Sequence, residues 1–180
     1  MRLVLKPIGH IDDRILLFLA IKLKKVFSGI SISISEAMSV PSSSYDPRRD
    51  QYRSSLILDE VLSYFKPGAG DKILGIADVD AYSGHLNFVF GEAYVSGRAA
   101  VIYLMRLKPE FYGMNPDEGL FLERILKEAV HEIGHTLGLG HCENSRCVMH
   151  FSNSILDTDY KEHNFCEKCK KLVEMALKRF

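Results

Sequence analysis

Three histidines, a glutamate and a glycine lie close together in the segment His131-Glu-Ile-Gly-His135-Thr-Leu-Gly138-Leu-Gly-His141. Residues four apart stack on one helical face, so His131 and His135 can grip a single ion. Imidazole nitrogen suits zinc, whose preferred shell is tetrahedral. A straight helix cannot supply the third ligand at good geometry. Gly138 can adopt the left-handed turn that ends a helix, so the chain can fold back and bring His141 to the same ion. Three protein ligands leave one position for water, as a catalytic zinc requires. Zinc lowers the pKa of such a water toward ~7, and Glu132 is placed to take its proton as general base. The competing reading is a set of ordinary core or surface histidines. The helix argues against the core version, because Leu122, Ile125, Leu126, Ala129, Val130, Ile133 and Leu137 form one apolar stripe. His131 and His135 fall roughly opposite that stripe, at about 100° per residue.

The four cysteines form two short-spaced pairs, Cys142-x4-Cys147 and Cys166-x2-Cys169. This spacing fits a closed four-cysteine zinc site, structural because it has no open position. Two disulfides, a redox pair at Cys166 and Cys169, and unpaired buried thiols remain as alternatives. A redox pair would leave Cys142 and Cys147 without a role. Cys142 directly follows His141, so the two sites would be mechanically coupled. The expected cofactors are two zinc ions, one catalytic and one structural, with no organic cofactor.

These groups need a scaffold, and the pattern predicts alternating strands and helices. Arg2–Ile8 alternates like a strand. Asp12 caps a helix running to Phe27, which Gly29 ends. Ile30–Ser35 has a period of two, a strand with one wet face. Residues 38–47 are rich in Ser and Pro and read as a loop. A helix is predicted from about Asp50 to Phe65, stopped by Lys66-Pro67-Gly68. Strands follow at Lys72–Val79, at Asn87–Val95 with Gly91 as a candidate bulge, and at Ala99–Met105, apolar enough to be buried on both faces. Asn115-Pro116-Asp117-Glu118 starts the histidine helix, which runs to Leu137 or Leu139. A last helix spans 166–180, with Leu172, Val173, Ala176, Leu177 and Phe180 at helical spacing.

The 180 residues suggest one domain. It divides into an N-terminal lobe, 1–140, with the sheet and active-site helix, and a C-terminal lobe, 141–180. Acidic and basic residues balance at 23 each, which argues against nucleic acid or an anionic membrane as the main partner. The best apolar run, Ile15–Ile21, is too short to span a bilayer and lacks the flanks of a signal peptide. A cytoplasmic monomer is expected, and that compartment disfavours disulfides.

The residues His131 to His141 resemble the metzincin pattern H-E-x-x-H-x-x-G-x-x-H. Met149, eight residues on, resembles the Met-turn residue that floors the catalytic zinc. Together with Cys142, Cys147, Cys166 and Cys169 the pattern is similar to the archaemetzincin branch. The resemblance implies an α/β metzincin fold: a twisted five-stranded mixed sheet with one antiparallel edge strand, here Asn87–Val95, to which peptide substrate would add. It also implies zinc metallopeptidase chemistry, including action on short peptides or N-termini as an aminopeptidase. Glu132 is then the base, His131, His135 and His141 the catalytic ligands, and the four cysteines the second site. One position departs: several metzincins carry tyrosine two residues after the Met-turn methionine, where this chain has Phe151. His150 lies nearby but reads as a surface residue, and His85 and His163 are assigned no function. The reading from a different class is a zinc-binding or peptide-binding protein with a metzincin fold that does not hydrolyse. Glu132 favours the enzyme, since a pure binder has no need of it.

Overall fold

The computed structural model describes residues 1–64 and 71–180. In chain order the strands and helices are β1 (Arg2–Ile8), α1 (Asp13–Val26), β2 (Ser31–Ile34), β3 (Tyr45–Asp46), β4 (Gln51–Arg53), α2 (Ser54–Ser63), β5 (Lys72–Ala77), β6 (Ala81–Tyr82), β7 (Gly91–Ala93), β8 (Ala99–Tyr103), α3 (Glu118–Thr136), α4 (Ile155–Tyr160) and α5 (Glu167–Leu177). The main sheet has the order β2-β1-β5-β8-β7. Its first four strands are parallel and β7 runs antiparallel along the edge. This is the five-stranded mixed sheet expected from the sequence. β5 and β8 are buried at every residue, which explains their continuous apolar runs.

One core layer packs β1, β5 and β8 against α1 and α3, through Leu5, Leu19, Leu74, Ile102, Ile125 and Val130. A second layer lies beneath α2, through Ile57, Val61, Ile73 and Val101. Full burial of each such side chain contributes about 1.5–3 kcal/mol. Residues after His141 join the first layer: Val148, Met149, Ile155, Cys169, Val173 and Ala176 are all buried there. Arg124 of α3 clamps this segment, reaching both carboxylate oxygens of Asp159 at 2.7 Å.

Several elements differ from expectation. Helix α2 begins at Ser54, because Gln51–Arg53 instead pairs with β3 and β6 in a small second sheet. The expected stop at Lys66-Pro67-Gly68 lies outside the described residues. Residues 38–47 are not all loop, since they hold a 3-10 turn at Ser42–Ser44 and strand β3. Only Gly91–Ala93 of the 87–95 stretch ladders to β8, with a lone bridge from Val89 to Ala81. Gly91 is in continuous register with Ile102 and is no bulge. The N-cap of α3 is Asp117, whose side chain accepts from the Leu120 amide, so Pro116 stays outside the helix. Sequence patterning missed α4, held by a capping box between Ser154 and Asp157. On α5 only Val173 and Ala176 of the expected stripe are buried, while Leu172 and Phe180 face solvent.

A buried ammonium joins the sheet edge to the histidine helix. Lys72 of β5 donates to Gly97 O in the β7–β8 hairpin at 2.5 Å and to Thr136 O at the end of α3 at 2.7 Å. The Ser96 amide of the same hairpin donates to His135 O at 2.9 Å. The bond to Thr136 O satisfies a terminal carbonyl that the helix cannot pair internally.

Candidate metal centre and active site

Helix α3 ends in a Schellman turn. The Leu139 amide reaches Gly134 O at 3.1 Å and the Gly138 amide reaches His135 O at 2.9 Å. Gly138 has φ +95°, a value open to glycine and strained for other residues, and a Cβ there would lie 2.9 Å from Ser96 Oγ. The turn also delivers a carbonyl: His135 Nδ1 lies 2.8 Å from Leu139 O. His131 Nδ1 lies 2.7 Å from Val148 O. A carbonyl only accepts, so each Nδ1 carries its ring's proton and each Nε2 keeps a lone pair. The two Nε2 atoms are 3.0 Å apart. Two lone pairs at that separation repel unless a positive centre lies between them. His141 completes the group, and one ring nitrogen from each histidine falls within 4.8 Å of the others. Burial pushes all three imidazoles below the ordinary histidine range, His131 most. They are thus held neutral, the form a metal ligand needs. The donor set fits zinc with a position left open.

The helical wheel placed His131 and His135 off the packing face, yet α3 is buried nearly all round from Arg124 to Thr136. The residues after the helix wrap over its histidine face, and the wheel cannot see them. Glu132 sits at 4% exposure, and its Oε2 is buried without a partner. Burial raises its pKa well above the carboxylate range, repulsion from Glu128 adds to this, and Lys161 opposes it. A dication at the imidazoles would favour the ionised form again.

Two glycines let other groups approach. A Cβ on Gly91 would come within 2.6 Å of Glu132 Oε1, so β7 passes directly over that carboxylate. A Cβ on Gly134 would lie 2.4 Å from Met149 Sδ. Met149 is fully buried, its sulfur packed against Gly134 of α3. Gly134→Ala makes opposed contributions. Better helix propensity is worth about 1 kcal/mol, whereas crowding a closed core costs about 1–3 kcal/mol. Thermal denaturation should therefore show a net fall in Tm of a few degrees. A rise in Tm would mean that Met149 is free to move aside.

Phe151 stacks obliquely on His141, ring centroids 4.9 Å apart, and supplies no hydroxyl. His150 Nδ1 bonds Cys142 O at 2.9 Å, and His163 pairs with Glu123 at 2.8 Å, so both have structural partners that the sequence did not reveal.

The four cysteine sulfurs gather within 4.8 Å of one another, and all four are free thiols. Cys147 and Cys169 are buried, and Cys142 and Cys166 are half-buried. The Cys169 amide draws the Cys166 thiol down to about 7, while burial pushes Cys147 and Cys169 up. A compensating cation would resolve that conflict, and four sulfurs suit zinc. The Cys142 amide donates to Met149 O at 2.9 Å, which ties this cluster to the methionine packed on α3.

A cleft of about 430 Å³ opens over the histidines, walled by β7, residues 83–90 and residues 151–153. Glu128 also lines it. Its Oε1 pairs with Lys161 Nζ at 3.0 Å, a lysine with no exposed side-chain surface, and accepts from Thr158 Oγ1 at 3.1 Å. The sequence reading missed this pair. The available signal was Glu128 one helical turn ahead of Glu132.

The model of peptidase family M54 matches residues 24–175. The archaemetzincin of Methanocaldococcus jannaschii is 47% identical over 174 residues, covering 97% of this chain and 93% of that one. The crystal structure of archaemetzincin from Methanopyrus kandleri superposes with a TM-score of 0.88 at 37% identity, covering 99% of this chain and 96% of the other. A zinc-dependent peptidase from Methanocorpusculum labreanum superposes with a TM-score of 0.84 at 30% identity, covering 95% and 99%. The chain belongs to peptidase family M54, the archaemetzincins. As an archaemetzincin it is a zinc metallopeptidase, a hydrolase acting on peptides. Among its described residues no helix is long and apolar enough to cross a membrane.

Proposed function

We propose that His131, His135 and His141 hold the catalytic zinc, that Glu132 is the general base, and that the chain acts on peptide N-termini as an aminopeptidase. The observation that carries this reading is the pair of Nδ1–carbonyl bonds, which leaves His131 Nε2 and His135 Nε2 facing each other beside the unpartnered Glu132 carboxylate. Zinc in that position supplies Lewis acidity toward the substrate carbonyl and acidifies water. Glu132 takes the proton of the attacking water and passes it to the departing amine. Its burial keeps bulk water from competing for that proton. Strand β7 takes the substrate backbone. Phe90 and Tyr94 bond inward to β8, so the alternation of an antiparallel pair turns the amides of Gly91 and Ala93 outward for strand addition.

Cys142, Cys147, Cys166 and Cys169 would hold a second, structural zinc, giving two ions per chain, with Met149 as the floor of the first site and Gly138 as its turn. The chain is read as one domain over 1–180, with the lobes meeting at 140/141. It is read as a cytoplasmic monomer whose partners are peptides rather than nucleic acid or membrane. The free, clustered thiols support that compartment.

The test is a diverse peptide library incubated with zinc-loaded chain and read by mass spectrometry, beside a Glu132→Ala control of equal zinc content. Cuts confined to the parent chain and lying at N-termini support the full reading. Internal cuts replace aminopeptidase by endopeptidase. No cuts, with both zincs bound, favour the non-hydrolytic peptide-binding alternative.

A further inference from the structure

Three carboxylates line the cleft, those of Glu92, Glu128 and Glu132, and among the described residues no lysine or arginine does. Lys161 offsets Glu128 from behind. Glu132 adjoins the imidazoles, where a dication would offset it. Glu92 has no such compensation. Its Oε1 accepts from Ser83 Oγ at 2.8 Å, and it enters no ion pair among the described residues. Its Oε2 is buried with no partner. Only four buried side-chain oxygens or nitrogens among the described residues lack a partner, and three belong to this cleft: Glu92 Oε2, Glu132 Oε2 and Ser152 Oγ. Native structures leave few polar atoms in that condition, and a cluster of them marks a place where another molecule completes the bonding. Carboxylate oxygens can only accept, so the missing partner is a donor. For an uncompensated carboxylate a cationic donor binds most strongly.

We propose that Glu92 is a specificity-determining residue that takes a primary ammonium group of the peptide substrate. The proposal rests on the peptidase reading above and adds to it the charge of the preferred substrate. Glu92 directly follows Gly91, the point where β7 touches the Glu132 carboxylate. Side chains alternate along a strand, so the Glu92 carboxylate leaves β7 on the face away from Glu132 and sits beside Ser83 in the cleft wall. Two substrate groups have this chemistry. They are the α-ammonium of a free N-terminus and the side-chain ammonium of a lysine.

The test uses one peptide sequence in four forms: N-terminus free or acetylated, combined with lysine or norleucine. Zinc-loaded parent chain and Glu92→Gln, which keeps the Ser83 hydrogen bond, are compared by kcat/KM. Affinity for the same four forms is measured by calorimetry on Glu132→Gln and on Glu132→Gln/Glu92→Gln. The parent should prefer an ammonium-bearing form by about tenfold, mainly through KM, and Glu92→Gln should bring the forms within about twofold of one another. Loss on acetylation alone assigns the α-ammonium, and loss on norleucine alone assigns the lysine side chain. Equal kcat/KM for all forms, or a preference that survives in Glu92→Gln, overturns the proposal and leaves the peptidase reading standing. If nothing is hydrolysed, that counts against the peptidase reading and calorimetry decides this one. A tenfold ammonium preference lost with Glu92 supports it, and equal or undetectable binding of all forms overturns it.

Discussion

Glu132→Ala, loaded to the same zinc content as the parent, is expected to lose about 1,000-fold in kcat/KM. A positioned general acid–base contributes about 100- to 10,000-fold, so the midpoint corresponds to about 4 kcal/mol of transition-state stabilisation. The loss should appear in kcat, because on the proposed mechanism Glu132 moves a proton in the transition state and makes no ground-state bond that binding would miss. Oε2 has no partner to lose, and Oε1 lies against the backbone of Gly91, so the truncated chain should fold. Stability is expected to rise slightly, since a buried carboxylate with an elevated pKa is a desolvation cost. Steady-state kinetics on any peptide cut by the parent, paired with thermal denaturation, measures both. Activity within tenfold of the parent would remove Glu132 from proton transfer.

Cys147→Ser should have the largest effect on stability. Cys147 is 1% exposed, and its sulfur also accepts the Cys166 amide at 3.3 Å. Structural zinc sites contribute on the order of 10 kcal/mol in small domains. Here the sheet, α1 and α3 keep their own core, so only part of that sum is at stake. A loss of at least about 4 kcal/mol is expected, which lowers Tm by on the order of 10 °C at this chain length. The metal count should fall from two per chain to one. Affinity at the remaining site should weaken as well, because Cys142 follows His141 and its amide holds Met149 O. Elemental analysis and competition with a chelator read both effects. Unchanged Tm and an unchanged metal count would mean that the thiols are packing residues only.

The clustering of His131, His135 and His141 was legible because helix periodicity is local. A four-residue spacing fixes a shared face, and a glycine three residues later announces the turn. The buried strands β5 and β8 were legible for a similar reason, as short apolar runs without polar alternation. What patterning missed depends on contacts across the fold. Gln51–Arg53 is a strand because β3 and β6, the latter about 30 residues away, both offer it partners. Strand β7 is confined to Gly91–Ala93, and Val89 ahead of it bridges to Ala81 of β6 instead. Nothing local marks Glu128 as buried, because its partner Lys161 lies 33 positions later. Gly91 and Gly134 were visible as glycines inside regular elements, but the groups they admit, Glu132 and Met149, lie elsewhere in the chain.

Lys72 has a consequence for where a peptide is cut. One ammonium holds the hairpin behind β7 and the terminal carbonyl of the histidine helix together, and the Ser96 amide adds a second tie to His135. The spacing between β7 and the imidazoles is therefore held by one buried side chain and one main-chain bond, as the gap of a caliper is set by its frame. A peptide that pairs with β7 meets the scissile point at a constant offset from its pairing residue, whatever side chains it carries. Mutations along the cleft wall should then change which peptides are accepted and how fast, while the step between docking and cutting stays the same. Altering that step would require loosening the Lys72 clamp itself.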